Sequence, residues 1–204
     1  MSGLLLWLAA AGVNDAPISV PTLRVVPAVS MTAEEVAANN DPCFVRVSIG
    51  LAGEASSADV LACSPQLAPR VTEAALTTAV EVTPTTRWPL AVTLRFDPAE
   101  GAVNGSLVGD DVTRQPTLHR RKVITPSTSG ITSVRPGSQL NCKVQVVVLA
   151  SGRTAGAMAD ASCDQPMVEP SLKAARLQRF VPALNAAGEA VDSEFTLGYK
   201  HVVQ

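Results

Sequence analysis

Four cysteines are the residues of this 204-residue chain whose type and spacing promise chemistry. They form two pairs: Cys43 and Cys63 bound "CFVRVSIGLAGEASSADVLAC", and Cys142 and Cys163 bound "CKVQVVVLASGRTAGAMADASC". Each pair is spaced almost evenly about a glycine-bearing turn signal, Gly53 in the first stretch and Gly152-Arg153 in the second. Thiols can join as disulfides, hold zinc or attack a substrate, and spacing discriminates among these. Zinc sites draw on short knuckles such as C-x2-C; the intervals here are long, and neither His119 nor His201 lies near a cysteine in sequence. Catalysis needs a nucleophile with a base, a carboxylate pair, a metal cluster or a phosphate cradle. The chain has no G-x-S-x-G, S-x-x-K, H-E-x-x-H or P-loop pattern, and its two histidines are far apart. No catalytic residue, metal site or cofactor is expected. His201 shares the apolar parity of Tyr199 and Val203 and reads as a partly buried edge histidine. Asp110-Asp111 reads as a solvated turn rather than a cation site, and Trp88-Pro89 as a core anchor before a strand.

The elements that must carry the cysteines follow from alternation. Cys43, Val45, Val47 and Ile49 share one face of a strand while Arg46 and Ser48 point away; Cys142, Val144, Val146 and Val148 do the same, with Lys143 and Gln145 on the other side. Folding each stretch about its glycine gives an antiparallel hairpin that sets Cys43 opposite Cys63 and Cys142 opposite Cys163. In the second hairpin this register faces Val144, Val146 and Val148 with Ala161, Ala159 and Ala157. In the first it faces Val47 with Asp59, which calls for a bulge or a longer loop. Four cysteines allow three connectivities, and only the local one follows from this register. Two disulfides, Cys43 with Cys63 and Cys142 with Cys163, are therefore expected, each stabilising its unit by about 3 kcal/mol in the chain-entropy view. The competing reading is four reduced core cysteines in a cytosolic protein.

Composition narrows the class. Apolar residues make up 47% and charged residues 17%, which is globular rather than disordered. Aromatics are only 3%, so burial must come from Val, Leu and Ala, and there is no stacking platform for bases. Sixteen basic against 18 acidic residues leave a formal charge of -2, which removes the electrostatic footprint of a nucleic-acid binder. The basic run His119-Arg120-Arg121-Lys122 reads as a solvated strand edge or loop. The opening "MSGLLLWLAAAGVNDAP" resembles a short export signal, with Ala9 and Ala11 placed for cleavage after Ala11, although its n-region lacks Lys or Arg. Nothing else approaches the roughly 18 apolar residues needed to span a bilayer.

The two cysteine stretches belong to a longer duplication. "PTL" occurs at Pro21 to Leu23 and again at Pro116 to Leu118, each followed by a β-branched pair and a proline. After each hairpin, Pro69 and Pro170 stand where a first helical residue would be, ahead of "RVTEAALTTAVEV" and "SLKAARLQRFV". Ala74-Ala75 and Ala174-Ala175 are small enough to let each helix lie close on a sheet. A closing strand follows: Leu90, Val92, Leu94 and Phe96 oppose Ala91, Thr93, Arg95 and Asp97 in the first copy. In the second, Val191, Phe195, Leu197 and Tyr199 oppose Asp192, Glu194, Thr196 and Lys200. The expected fold is α+β: two β-β-α-β modules, each an antiparallel sheet with one helix on a face. The expected organisation is a signal peptide at 1–11, a first module at 12–111 and a second at 112–204. Asn104-Gly105 within "DPAEGAVNGSLVGDD" predicts an extra hairpin, and "TPSTSGITSVRPGSQ" a polar loop.

The ordered set "CKVQVVVLASGRTAGAMADASC", "SLKAARLQRFVPALNAAGEAV" and "FTLGY" resembles the C-terminal domain of the TonB family of periplasmic energy transducers. The shared pattern includes Arg179 to Ala183 as Arg-Phe-x-Pro-Ala and a glycine at 188; the first copy matches more loosely, with Val82-Thr83-Pro84 where "RFVPA" would stand. The resemblance implies a β-β-α-β module that takes extended peptides of outer-membrane receptors by strand addition, and with it a link to outer-membrane transport. A long Pro-rich spacer and an anchoring helix, which a transducer carries, are missing, and Cys63-Ser64-Pro65 and Cys163-Asp164-Gln165 replace the Ser-Ser-Gly type of turn. The expectation is an exported, non-enzymatic periplasmic or secreted protein with a protein or peptide partner in the cell envelope. Its binding edges would be residues 90 to 96 and 191 to 199, and no nucleic acid is involved. A secreted disulfide-stabilised inhibitor or a structural envelope protein is the alternative.

Overall fold

The computed structural model describes residues 21–83, 86, 88–119, 126, 134–135 and 137–203. The signal-like segment 1–11, the Arg120-Arg121-Lys122 part of the basic run and most of the polar loop lie outside the described residues. The protein is α+β, with antiparallel strands in several small sheets and three α-helices among the described residues. It divides into two compact units whose boundary falls between Asp111 and Val112.

In the first unit the alternating run at 43 to 49 becomes β3 (Cys43–Ile49), the hub of a four-stranded sheet. Before it come β1 (Leu23–Val25), β2 (Ala28–Met31) and α1 (Ala33–Ala38); after it come β4 (Ala55–Ala62), α2 (Ala68–Ala75), β5 (Ala79–Val80), β6 (Leu90–Phe96), β7 (Gly101–Asn104) and β8 (Ser106–Leu107). The sheet order is β4-β3-β6-β8. β3 and β6 pair without a break, Cys43 opposite Phe96 and Ile49 opposite Leu90, so their apolar parities coincide. Val71, Ala74 and Ala75 of α2 and Val29, Met31 and Val103 of the β2-β7 ribbon close over that face. The reverse face is not uniformly solvated as alternation predicts: Phe44 and Thr93 are each 1% exposed.

The second unit contains β9 (Thr117–Leu118), β10 (Gln139–Val148), β11 (Thr154–Ala159), a 3-10 turn at Gln165–Met167 and α3 (Val168–Leu177). β12 (Phe180–Val181), β13 (Ala183–Leu184), β14 (Ala190–Val191) and β15 (Ser193–Val202) complete it. The main sheet is β11-β10-β15. Cys142, Val144, Val146 and Val148 are buried beneath Ala174 and Ala175 of α3, with Leu197 and Tyr199 of β15 in the same core. The alanine pairs do what their size predicts and bring helix close to strand.

Both disulfides exist, with Cα atoms 4.3 Å apart for Cys43–Cys63 and 4.1 Å for Cys142–Cys163. The registers around them differ from the simple reflection about each glycine. In the second hairpin Val144 faces Ala159 and Val146 faces Ala157, two residues short of the expected partners. β11 ends at Ala159, and Cys163 reaches its partner from a turn in which its own N–H bonds the Asp160 carbonyl at 2.9 Å. In the first hairpin Arg46, not Val47, faces Asp59, because the register shifts at both ends of the pairing. Those shifts resolve the conflict by returning the carboxylate to the polar face.

Each turn glycine meets two demands. Gly53 has φ +84° and a Cβ there would sit 2.6 Å from the Val80 carbonyl oxygen; Gly152 has φ +75° and its Cβ would sit 2.3 Å from that of Phe180. The chain leaving each helix crosses the hairpin tip at this point, so that Val80 N–H bonds the Gly53 carbonyl at 2.7 Å and Phe180 N–H bonds that of Gly152 at 2.9 Å. The helices are consequently shorter than their Ala-rich stretches suggest, since Ala79–Val80 and Phe180–Val181 are strands. Pro69 is the second residue of α2, and Pro170 the third of α3, whose first turn the 3-10 segment prepares.

The Asn104-Gly105 hairpin does not form. β7 pairs with β2 and β8 with β6, so the dipeptide is a step from one sheet to another. Gly105 is needed for proximity instead: a Cβ would lie 2.9 Å from the Phe96 ring. The closing strand of the second unit is also interrupted, with Val191 on β14 opposite Ala183 and β15 starting only at Ser193. Between them the Asp192 carboxylate accepts the Ala150 N–H at 2.8 Å.

Candidate functional site

A partner that adds a strand needs a row of backbone N–H and C=O groups that the sheet leaves unused. Side chains of that strand then decide which face of the partner is read. The two segments expected to supply such edges are placed differently. β6 lies inside its sheet, paired to β3 along its length and to β8 at Leu94 and Arg95, with Val108 N–H bonding the Thr93 carbonyl at 2.9 Å. Leu90 is half-buried, and Val92, Leu94 and Phe96 are buried in the unit's core. The expectation of an edge at 90 to 96 is thus corrected by β8, two residues whose pairing was not visible in the alternation.

β15 is a true edge. It pairs with β10 over all ten residues, Ser193 opposite Val148 through Val202 opposite Gln139, and no strand among the described residues occupies its other side. Its apolar side chains turn inward: Leu197 is 2% and Tyr199 4% exposed. Phe195 is half-buried and meets Phe180 edge to face, ring centroids 5.3 Å apart, and Val191 is half-buried on the neighbouring ribbon. A partner on this edge would therefore meet backbone and the outer parity, where Thr196, Gly198, Lys200 and Val202 are exposed.

The core side of the edge is polar at one point. Gln178, fully buried just after α3, donates from Nε2 to the Tyr199 hydroxyl at 3.5 Å. Burial pushes the Tyr199 phenol above its ordinary value of 10.0, and the Gln178 hydrogen bond offsets part of that rise. Elsewhere Glu35 is held below its ordinary value by the Thr32 backbone N–H and by the Arg70 guanidinium, whose other nitrogen also bonds the Ser30 carbonyl.

The remaining candidates separate. His201 is half-buried on β15 opposite Leu140, while His119 is exposed and its N–H bonds the Arg179 carbonyl at 2.9 Å. Asp110 and Asp111 are exposed in a turn. Trp88, read as a core anchor, is 37% exposed and Pro89 is exposed as well, so the half-buried Leu90 rather than the indole begins the packing of β6. Among the described residues no group of His, Cys, Asp and Glu is arranged to hold a metal ion, and no helix is long and apolar enough to cross a membrane. The paired cysteines fit an oxidising compartment outside the cytosol.

Compared with known proteins, the chain matches no family model, no curated protein and no solved structure.

Proposed function

We propose that the chain is an exported, non-enzymatic binding protein of the cell envelope, built from two copies of a β-β-α-β module of the TonB C-terminal kind. It acts by taking a protein or peptide as an added strand. The observation that carries this reading is the outer side of β15, a ten-residue edge on a three-stranded sheet with no strand against it among the described residues. Backbone hydrogen bonds supply affinity in this mode, which suits a unit whose apolar side chains are spent on its own core.

The duplication is supported by matched connections. The first "PTL" pairs with the strand leaving α2, Leu23 opposite Val80, and the second with the strand leaving α3, Leu118 opposite Phe180. In each unit a disulfide fastens the hairpin near the start of the helix and a glycine receives the chain after it. Export to the periplasm is supported by the two disulfides and by the signal-like opening of the sequence. A link to outer-membrane transport rests on the TonB resemblance alone.

The test is a photo-crosslinking amino acid at Thr196 on the outer parity of β15, compared with one at the half-buried Ser48 of central β3, in intact cells. The expected result is an adduct with an envelope protein from position 196 and none from 48. Adducts of equal yield from both positions, or with no protein other than the chain itself, overturn the reading.

A further inference from the structure

We propose that the second unit carries an anion-binding row formed by His119, Arg153 and Arg179, and that its ligand is an acidic peptide segment of a partner protein. The inference goes beyond strand addition at β15 and uses none of that edge. The segment 179–181 runs between two neighbours. On one side β12 pairs with β9, Phe180 opposite Leu118, and the His119 N–H continues the ladder to the Arg179 carbonyl at 2.9 Å. On the other side Arg179 forms an antiparallel bridge with Arg153, beside the Gly152 turn. His119, Arg179 and Arg153 therefore stand in one row across three segments, about 10 Å long at ordinary strand spacing. Facing residues of a ladder project to the same side. Phe180 and Leu118, of the other parity, pack in the core, so the row turns outward, and all three of its residues are exposed.

Two arginines directly opposite each other repel, and the unit supplies no carboxylate to neutralise them. Among the described residues neither Arg153 nor Arg179 is ion-paired. Asp192, the carboxylate at this hairpin tip, accepts the Ala150 N–H at 2.8 Å. Arg179 donates from Nη1 to the Gln178 carbonyl at 3.0 Å, which leaves the rest of its fork for a ligand. The first unit carries the same row with different electrostatics. Arg24 follows Leu23 as His119 follows Leu118, Glu54 bridges Ala79 as Arg153 bridges Arg179, and Arg24 meets Glu54 at 3.7 Å. A ligand carboxylate would do for Arg153 and Arg179 what Glu54 does for Arg24, and guanidinium forks suit carboxylates. Val181, 45% exposed and on the same side as Arg179, adds an apolar contact that a peptide side chain can use and a small inorganic anion cannot. An anionic bilayer fits less well, because the row is short and the whole chain carries a formal charge of -2.

Fluorescence anisotropy of the full disulfide-bonded chain tests this, with a labelled peptide of glutamates and leucines and its lysine-for-glutamate counterpart as probes. Binding is read at low salt, where screening is weakest, and a dissociation constant on the order of 100 µM is expected for the glutamate peptide. Arg153→Glu and Arg179→Ala are each expected to weaken it at least tenfold, while Arg153→Lys keeps most of it. Arg135→Glu makes the same charge change before the far end of β10 and is expected to alter binding less than threefold. Near-ultraviolet circular dichroism checks that each variant folds. A wild type that ignores the glutamate peptide, or binds the lysine peptide equally, overturns the inference. So does equal weakening by Arg135→Glu and Arg153→Glu, or binding to phosphatidylglycerol vesicles without binding to the peptide. Peptide binding without Thr196 adducts removes the β15 reading and leaves the row; Thr196 adducts without peptide binding do the reverse.

Discussion

Tyr199 is the chain's one tyrosine, which makes its burial measurable. Its folded phenol titrates above 10.0 because the ring is desolvated in the core of the second unit. The linkage has a definite sign. Below about pH 10 the group is neutral in both folded and unfolded chains and adds no pH dependence; above it the unfolded phenol loses its proton first, so stability falls as pH rises. Titration of the native protein by phenolate absorbance is expected to show a transition displaced to high pH, or absent until unfolding. Tyr199→Phe is expected to flatten the alkaline decline. A native transition at the free-tyrosine value would mean that the hydroxyl is solvated. The sequence gives the parity that buries Tyr199 but not Gln178, which packs beneath it. A glutamine at the end of an amphipathic run carries no sign of being wholly enclosed.

At the scale of elements, the hairpins show what pattern reveals and what it misses. Alternation at 43 to 49 and 142 to 148 located both central strands and their buried faces, because a two-residue period has one structural meaning when one face is apolar. The registers were displaced, since the reflection about a glycine assumes a two-residue turn and no bulge, and both hairpins depart from that. Short strands such as β5, β8, β9 and β12 were invisible: two residues have no period, and their partners are distant in sequence. α1 did carry a local sign. Thr32 and Glu35 form a reciprocal capping box, the Thr32 hydroxyl taking the Glu35 N–H at 3.2 Å and the Glu35 carboxylate the Thr32 N–H at 2.8 Å. The turn glycines were legible as turns, though not as docking points for the strand after each helix. Gly152→Ala combines a positive φ with contact against the Phe180 carbonyl, and is expected to cost about 2–3 kcal/mol in urea unfolding. A change within 0.5 kcal/mol, taken as roughly experimental neutrality, would show that β12 does not rest on the turn.

For the whole molecule, the cysteine spacing was the most informative feature, because facing positions on joined strands left one local connectivity to choose. The candidate site was less legible. The alternation at 191 to 199 marks a strand, but Val191 lies on β14 and β15 starts at Ser193; which strands end a sheet depends on pairings that alternation does not show, and β8 pairs with the strand expected as an edge at 90 to 96. Removing the second disulfide by Cys142→Ala with Cys163→Ala is expected to lower the stability of its unit by about 3 kcal/mol. The comparison is denaturant unfolding of oxidised wild type and double variant, with the Cys43–Cys63 bridge confirmed intact by mass. An unchanged midpoint would show that this bridge contributes nothing to the folded balance.

The bridges have one further result for a chain exposed to peptidases. Cys43–Cys63 and Cys142–Cys163 each enclose a complete hairpin tip, including the exposed Leu51 in the first. A single backbone scission inside either enclosed stretch severs the polymer without dividing the molecule. The two pieces stay tethered, and a nicked copy remains one molecule, heavier by the water of hydrolysis, until a reductant separates it.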